Sequence, residues 1–294
     1  MKKIICLLIR ITLIPTLIRE LVQSRRVTIL TYHDINPQQA AKHFNALKAR
    51  YNIISLRDYL QARRAGTLKG LPRKSLIITI DDGHKGNYHL YDLIKSSGVP
   101  LTVFLASSIV GTRRHFWFKF AEGKTDLKTL ERVPDEDRLN ILKELGYTDE
   151  TEFENRVALS SAEINEMKPL VDFQSHSATH PILPECDDSK AAYEIKHSKL
   201  DLETRYGLDV YALCYPNGDY SLRDIELLKE AGYECGLTID NGFNSASTDM
   251  FRLKRICASD IADVNQLLVT VCGIWQILHN WAKHPSYGFK DRPK

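Results

Sequence analysis

Ser75-Leu-Ile-Ile-Thr-Ile-Asp-Asp-Gly83 indicates the fold of this chain most clearly. From Leu76 to Ile80 it is an unbroken run of apolar and β-branched residues, and it then stops at two carboxylates and a glycine. A run of this length is typical of a parallel strand buried on both faces. The stretch therefore predicts an interior strand that delivers Asp81 and Asp82 to its carboxyl end.

A second stretch, Asp172-Phe-Gln-Ser-His-Ser-Ala-Thr-His-Pro181, contains two histidines four residues apart. On one helical turn this spacing puts both imidazoles on one face, where they can bind one divalent metal ion. The spacing alone is weak evidence, because two surface histidines on a helix share it by chance. Together with an aspartate, His176 and His180 would make the open metal site that hydrolases use. The other aspartate is then free to act as a general base.

Strands alternate with helices along most of the sequence, which predicts a parallel sheet that closes into a barrel. The predicted strands are 27–31, 51–55, 76–80, 100–105, 171–174, 210–213, 234–239 and 253–257. The main predicted helices are 37–49, 56–65, 87–97, 189–206, 221–231 and 262–283. Residues 112–160 break this rhythm and are interpreted as an inserted helical subdomain.

The candidate catalytic and metal-binding residues fall at the carboxyl ends of predicted strands. Asp81 and Asp82 follow one strand, His176 follows a second, and the loop Tyr215-Pro-Asn-Gly218 follows a third. Barrels of this class build their active sites at that face. The placement therefore favours one shared site over scattered surface groups.

These motifs resemble those of the polysaccharide deacetylase family, which is also called the NodB-homology or carbohydrate esterase family 4. Its first motif, (T/S)FDDG, is similar to residues 79–83, and its second, H(S/T)xxH, is similar to residues 176–180. Weaker similarities are residues 213–218 to the third-motif loop, residues 251–256 to a late L-x-R-I strand, and Tyr32-His33 to the start of one branch. The matches keep the family's order over residues 27–258.

The resemblance implies an α/β fold, a distorted (β/α) barrel of the NodB type with residues 112–160 as its helical insertion. It implies a metal-dependent hydrolase that removes an acyl group, with N-acetyl expected, from a carbohydrate. The metal ligands would be Asp82, His176 and His180, around a divalent ion that we expect to be Zn²⁺. Asp81 would be the base, and the backbone N–H of Asn217 would face the oxyanion.

The sequence departs from the family pattern at two points. Many members have an arginine in the third motif that orients the base, but this chain has Cys214 there. Arg255 is the matching replacement from a later strand, with Arg252 in reserve, although an ordinary surface charge explains Arg255 equally well. The general acid is the second departure, because neither His279 nor His33 has clear support.

Three further residues are candidates for the cleft. His84 follows Gly83, and Asp240 follows the predicted strand 234–239, so both are expected near the site. Trp117 is either a platform for sugar stacking or a core residue of the insertion.

Composition excludes some classes of protein. The chain has 294 residues, 43% apolar and 26% charged, so it can bury a full core. A net charge of +3 is too small to indicate a nucleic-acid partner. The six cysteines are scattered without a CxxC pair, which favours buried thiols over disulfides and a cytoplasmic location.

Residues 1–26 are interpreted as a unit apart from the barrel, which would occupy residues 27–294. Residues 4–22 are largely apolar with basic residues at both ends, which is typical of an amphipathic helix lying on a membrane, here the inner face. A helix packed on the barrel flank explains the pattern equally well. An uncleaved signal-anchor is the third interpretation, although the run is shorter than the ~20 apolar residues of a spanning helix.

The expected role is in bacterial surface-polysaccharide or glycolipid metabolism, with an N-acetylated carbohydrate as the substrate. One alternative is an O-acetyl esterase or deformylase on the same scaffold. Others are a carbohydrate-binding homologue without turnover and a scaffold protein at the membrane.

Overall fold

The strands predicted from the alternating pattern form a single curled sheet in the computed structural model, which describes residues 2–274. They are β1 (Val27–Tyr32), β2 (Asn52–Ile53), β3 (Ser75–Ile80), β4 (Leu101–Leu105), β5 (Val171–Ser175), β6 (Ala212–Cys214), β7 (Cys235–Leu237) and β8 (Ile256–Cys257). The order is β7-β6-β5-β4-β3-β1-β8, with β2 beside the first residues of β3. All of these pairs are parallel.

Helices and short turns surround the sheet. The α-helices in residues 2–274 are α1 (Lys2–Ile11), α2 (Ile14–Leu17), α3 (Pro37–Lys48), α4 (Leu56–Arg64), α5 (Tyr91–Ser97), α6 (Trp117–Ala121), α7 (Leu127–Leu130), α8 (Asp135–Glu144), α9 (Ser161–Met167), α10 (Asp188–Tyr206), α11 (Leu222–Glu230) and α12 (Val264–Val271). A π-helical turn covers Ile18–Val22, and 3₁₀ turns cover Lys85–Leu90, Leu183–Glu185 and Pro216–Gly218. The predicted helix at 87–97 is thus a 3₁₀ turn that continues into α5.

The two edges of the sheet are joined by the segment that leads into β8. Leu253 forms a parallel bridge with Leu237 in β7, while β8 itself pairs with β1. The Leu253 N–H donates to the Gly236 carbonyl, and the Thr238 N–H donates to the Leu253 carbonyl, both at 2.9 Å. The predicted distorted (β/α) barrel is confirmed.

The strand chosen from the sequence lies inside this sheet. All six residues of β3 are buried, as are all six of its neighbour β1. The parallel ladder continues one residue further, because the Asp81 N–H donates to the Tyr32 carbonyl at 3.0 Å. This bond fixes the carboxylate pair at the carboxyl edge of the sheet.

The insertion is helical, as predicted, and has a small apolar core of its own. Helices α6, α7 and α8 lie within it. The buried members of that core are Trp117, Ala121, Leu130, Leu142, Tyr147 and Ile182. Ile182 follows the second histidine motif in the chain, so the insertion packs directly against that loop.

The N-terminal segment is not one continuous helix. It is interrupted between α1 and α2 at Thr12 and Leu13. The physical reason is Pro15, which has no N–H to donate to the carbonyl of residue 11. No helix within residues 2–274 is long and apolar enough to cross a membrane.

The prediction of one long helix over 262–283 was wrong in its extent, because α12 ends at Val271 and Gly273 follows with a left-handed φ of 78°. Asp263 caps α12, with its carboxylate accepting from the N–H groups of Asn265 and Gln266. Residues 275–294, which include His279, lie outside the described residues. None of the six cysteines forms a disulfide.

Gly83 allows a test of how tightly the turn after β3 packs against Leu105 in β4. Its φ is +72°, and a Cβ there would lie 2.5 Å from Cδ2 of Leu105. Gly66 has a similar φ of +71° but open space around it. We expect Gly66→Ala to lower the free energy of unfolding by about 1 kcal/mol from backbone strain. Gly83→Ala should cost about 1–3 kcal/mol more because of the overlap. Urea denaturation of both variants measures the difference, and equal losses would contradict this packing.

Candidate active site and metal centre

Two loops at the carboxyl edge of the sheet supply the candidate metal ligands. Asp82 follows β3 with a left-handed φ of 73°, and this turn points its carboxylate into the barrel mouth. His176 follows β5, and His180 lies four residues later. All three side chains are buried.

The two histidines do not lie on a helical turn, so that prediction was wrong. Residues 176–182 form a loop in which Ser177 and His180 both have a φ of 63°. The Ser177 hydroxyl accepts from the His180 N–H at 3.1 Å and closes the loop. The four-residue spacing brings the imidazoles together through this loop.

The three side chains present their ligand atoms to one point. The Nε2 atoms of His176 and His180 lie 3.4 and 3.3 Å from Oδ1 of Asp82. Ligands bound at about 2.0–2.1 Å around a tetrahedral ion are about 3.3–3.4 Å apart. Oδ1 is buried and has no hydrogen-bond partner among the described residues, which leaves it free to bind an ion. Donor types and spacing therefore fit a divalent metal.

The ligands are oriented by a second layer of contacts. The Nδ1 atom of His176 lies 2.7 Å from the Cys214 carbonyl, so Nδ1 carries the proton and Nε2 is left for the metal. Oδ2 of Asp82 is 3.0 Å from Nε2 of His84, which places His84 at the site as expected. Burial raises the pKa of Asp82, but the surrounding imidazoles, when they are protonated and no metal is bound, outweigh burial and hold that pKa well below its usual range.

Arg255 reaches Asp81 from the segment just before β8. Its two terminal nitrogens lie 2.8 Å from the two carboxylate oxygens, a bidentate pair with both side chains buried. Its Nε donates to the Thr238 carbonyl at 2.8 Å. Nη1 also lies 3.1 Å from Thr31 and 3.3 Å from Thr79, so neutral oxygens satisfy its remaining protons.

This pair sets the charge state of Asp81. Burial raises the pKa of Asp81, but the positive charge of Arg255 outweighs burial and lowers it to about 2. The Cys214 thiol accepts from Nη2 of Arg255 at 2.7 Å. Asp81, His176 and Cys214 are also close enough to share an ion, but a guanidinium against two of them repels a cation.

Glu194 is a residue of the site that sequence reasoning missed. Its buried carboxylate, on α10, accepts from the N–H groups of Ala178 and Thr179, both at 2.8 Å. It also accepts from the Thr179 hydroxyl at 2.7 Å, and Lys190 lies 3.0 Å away as its counter-ion. The sequence did contain a sign of this role. Glu194 is the charged residue within the helical stripe of Ala191, Ile195, Ser198 and Leu202 that is buried in the structure.

A pocket of about 330 Å³ opens onto these groups. Both aspartates, both motif histidines and Arg255 line it, together with Asn217 and His33. Phe118, Leu127 and Glu131 form its wall on the side of the insertion.

The remaining sequence candidates are placed differently. Trp117 lies in the pocket wall, but it is only 2% exposed and its indole N–H donates to the His180 carbonyl at 2.8 Å, so it is a core residue that supports the loop. Asp240 does not line this pocket, because its carboxylate turns toward the Tyr220 hydroxyl at 2.9 Å. Arg252 lies over the Tyr220 ring and not beside Asp81.

Comparisons with known proteins agree with this arrangement. The family model described as polysaccharide deacetylase matches residues 69–236. A poly-β-1,6-N-acetyl-D-glucosamine N-deacetylase of Staphylococcus epidermidis is 23% identical over 242 residues, covering 78% of this chain and 70% of that protein. The enzyme of the same name from Escherichia coli K12 is 19% identical over 74% of this chain, which spans only 34% of its length.

Solved structures show the same fold. The Streptococcus pyogenes deacetylase PplD, solved in complex with acetate, has a TM-score of 0.62 and 20% identity, covering 84% of this chain and 99% of that one. IcaB from Ammonifex degensii has a TM-score of 0.62 and 18% identity, covering 85% and 99%.

The Asp81–Arg255 pair predicts the acidic limb of the pH–rate profile. Replacing Arg255 with alanine removes the charge that lowers the pKa of Asp81. The acidic limb should therefore move about one to three pH units higher. Arg255→Lys keeps the charge but loses the bidentate contact, so it should shift the limb less. A limb that stays in place in both variants would contradict the role of this pair.

The same pair predicts stability against pH. A carboxylate with a lowered folded-state pKa stabilises the fold above its unfolded pKa, and that stability is lost as pH falls toward about 2. Arg255→Ala should cost about 3–5 kcal/mol at neutral pH, because the buried charge is left unpaired. Urea denaturation at several pH values measures both effects, and Arg255→Lys serves as the folded comparison.

Glu194 predicts a defect in metal affinity. Glu194→Gln keeps the shape of the side chain but weakens three hydrogen bonds to the histidine loop. Metal affinity should fall about 10–100-fold, the usual effect of a lost outer-shell contact. Competition with a chelating dye measures it without substrate. Glu203→Gln on the same helix, more than two turns away, is the matched control. An unchanged affinity in Glu194→Gln would show that the loop holds its shape alone.

Proposed function

The chain belongs to the polysaccharide deacetylase family, and we propose that it is a metal-dependent N-deacetylase acting on an N-acetylated carbohydrate polymer or glycolipid of the bacterial surface. The observation that carries the proposal is that one pocket contains two adjacent carboxylates with different partners. Asp81 is bound by Arg255 and kept ionised, whereas Asp82 faces two imidazoles.

The residues of the pocket divide the chemistry between them. Asp82, His176 and His180 would hold the ion, for which the nitrogen and oxygen donors favour Zn²⁺. A divalent ion there supplies a water of lowered pKa and polarises the substrate carbonyl. Asp81 accepts the proton of the attacking water, and Arg255 holds its carboxylate in place. The backbone N–H of Asn217, in the pocket wall, donates to the carbonyl oxygen as negative charge develops on it.

The carbohydrate-binding alternative without turnover is less well supported. Loss of catalysis in this family pattern would follow from a base that is not oriented, since Cys214 cannot make the expected ion pair. Arg255 makes a bidentate pair in its place. Of the two candidates for the general acid, His33 lines the pocket and His279 lies outside the described residues.

Paired substitutions test the proposal. We expect the purified chain to contain about one Zn²⁺ by elemental analysis and to release acetate from β-1,6-linked N-acetylglucosamine oligomers. Asp81→Asn should keep the metal and lower kcat by at least ~10²-fold. Asp82→Asn should lose the metal. Asp240→Asn is the matched control outside the pocket and should change neither.

Other outcomes distinguish the alternatives. Release of acetate from O-acetylated but not N-acetylated glycans would identify an esterase, and release of formate would identify a deformylase. Metal binding with no release from any of these substrates would favour the binding protein. If Asp81→Asn instead removes the metal, the roles of the two carboxylates are reversed.

A further inference from the structure

The N-terminal segment carries most of the exposed apolar surface of the described chain. Within residues 2–274, ten of the sixteen large hydrophobic side chains that are exposed lie between Ile4 and Val22. Ile11, Leu13 and Leu21 are 71%, 73% and 73% exposed. The ten are Ile4, Ile5, Leu7, Leu8, Ile11, Leu13, Ile14, Leu17, Leu21 and Val22, and we call them the N-terminal apolar surface. A cluster of this kind marks an interaction site.

This surface belongs to the folded domain and is not a trailing tail. Helix α1 packs along α12, and Cys6 is 1% exposed between them. Arg10 hydrogen-bonds Asn265 at the start of α12. Gln23 is fully buried and donates to the Val271 carbonyl at the end of that helix, at 2.9 Å. One side of the segment is therefore anchored, while the opposite side displays apolar groups.

The same segment carries the positive charge of the whole protein. Residues 1–26 contain six basic residues and one acidic residue, a net charge of +5. The whole chain has 40 basic and 37 acidic residues, so residues 27–294 have 34 and 36, a net charge of −2. The single acid, Glu20, is already paired with Arg19 and Lys74. An asymmetry of this kind indicates an anionic partner.

A basic cavity is lined by the residues that follow the N-terminal apolar surface in the chain. It has a volume of about 520 Å³ and lies at the start of β1 and β3, directly after the N-terminal segment. Arg25, Arg26, Lys69 and Arg73 line it, with the Ser24 hydroxyl accepting from Nε of Arg73 at 2.9 Å. Guanidinium and ammonium groups around a cavity suit phosphate oxygens.

We propose that the N-terminal apolar surface and this cavity together bind an anionic lipid bilayer. The apolar side chains would enter the boundary between headgroups and acyl chains, and the four cations would contact lipid phosphates. Helices α1 and α2 would lie on the surface of the bilayer without spanning it. The proposal stands on exposure and charge, so it does not depend on the deacetylase function.

Residues 275–294 of the same chain are a competing occupant. Residues 275–282 carry no formal charge, and the charged residues that follow are Lys283, Lys290, Arg292, Lys294 and Asp291, a net charge of +3. This segment offers apolar side chains, but its net positive charge does not complement the basic cavity, whereas the charge of an anionic membrane does.

Vesicle sedimentation tests the proposal with the full-length protein. Vesicles of phosphatidylcholine with 30% phosphatidylglycerol should pellet the protein, and vesicles of phosphatidylcholine alone should pellet it far less. Ile11→Glu and Leu21→Glu should each weaken binding at least tenfold, from the lost apolar burial. Arg25→Ala and Arg26→Ala should each weaken it about fivefold and reduce its dependence on salt. Leu200→Glu, at an apolar position on α10 that is 62% exposed, is the matched control.

Circular dichroism confirms that each variant is folded before binding is compared. A wild-type protein that stays in the supernatant with anionic vesicles would overturn the proposal. So would equal losses in Leu200→Glu and Ile11→Glu. Sedimentation velocity measures the oligomeric state of the protein. If the wild-type protein is a dimer and Ile11→Glu makes it a monomer, a second copy of the chain covers this surface and the membrane proposal is overturned.

Discussion

Two adjacent carboxylates are buried at the end of β3, and the neighbouring elements are arranged around the need to compensate their charge. A buried charge is tolerated only when it is paired and hydrogen-bonded. Asp81 receives that pairing from Arg255, and Asp82 receives it from imidazoles that can share a metal ion with it. Each carboxylate therefore has a different partner and a different role, although they are neighbours in the chain.

Arg255 couples this constraint to the closure of the barrel. It lies between Leu253, which bridges to β7, and β8, which pairs with β1. The two edges of the sheet must meet for the guanidinium to reach Asp81 through the interior. Barrel closure and ionisation of the base are thus coupled through Arg255. A substitution that disturbs either one should therefore also disturb the other.

The histidine loop depends on support from outside the sheet. Ser177 and His180 of this loop both have left-handed backbone conformations, which are energetically costly for residues other than glycine. Glu194 accepts three hydrogen bonds from this loop, and Trp117 of the insertion binds the His180 carbonyl. The insertion and α10 therefore help to position the metal ligands, in addition to lining the pocket.

Sequence patterns alone predicted the strand that ends in Asp81 and Asp82, the alternating α/β order and the residues that meet at the carboxyl edge. These features follow from periodicity and strand-end position, which are local properties. The sequence patterns did not determine the conformation of the histidine loop, since a four-residue spacing is satisfied equally by a helix or by a turn with positive φ. The contact of Arg255 with Asp81 and the role of Glu194 became visible in the folded chain. Arg255 is 174 positions from Asp81, and Glu194 is 15 or 16 positions from the N–H groups that it binds. Groups so far apart in the chain come within hydrogen-bonding distance because the barrel packs them together.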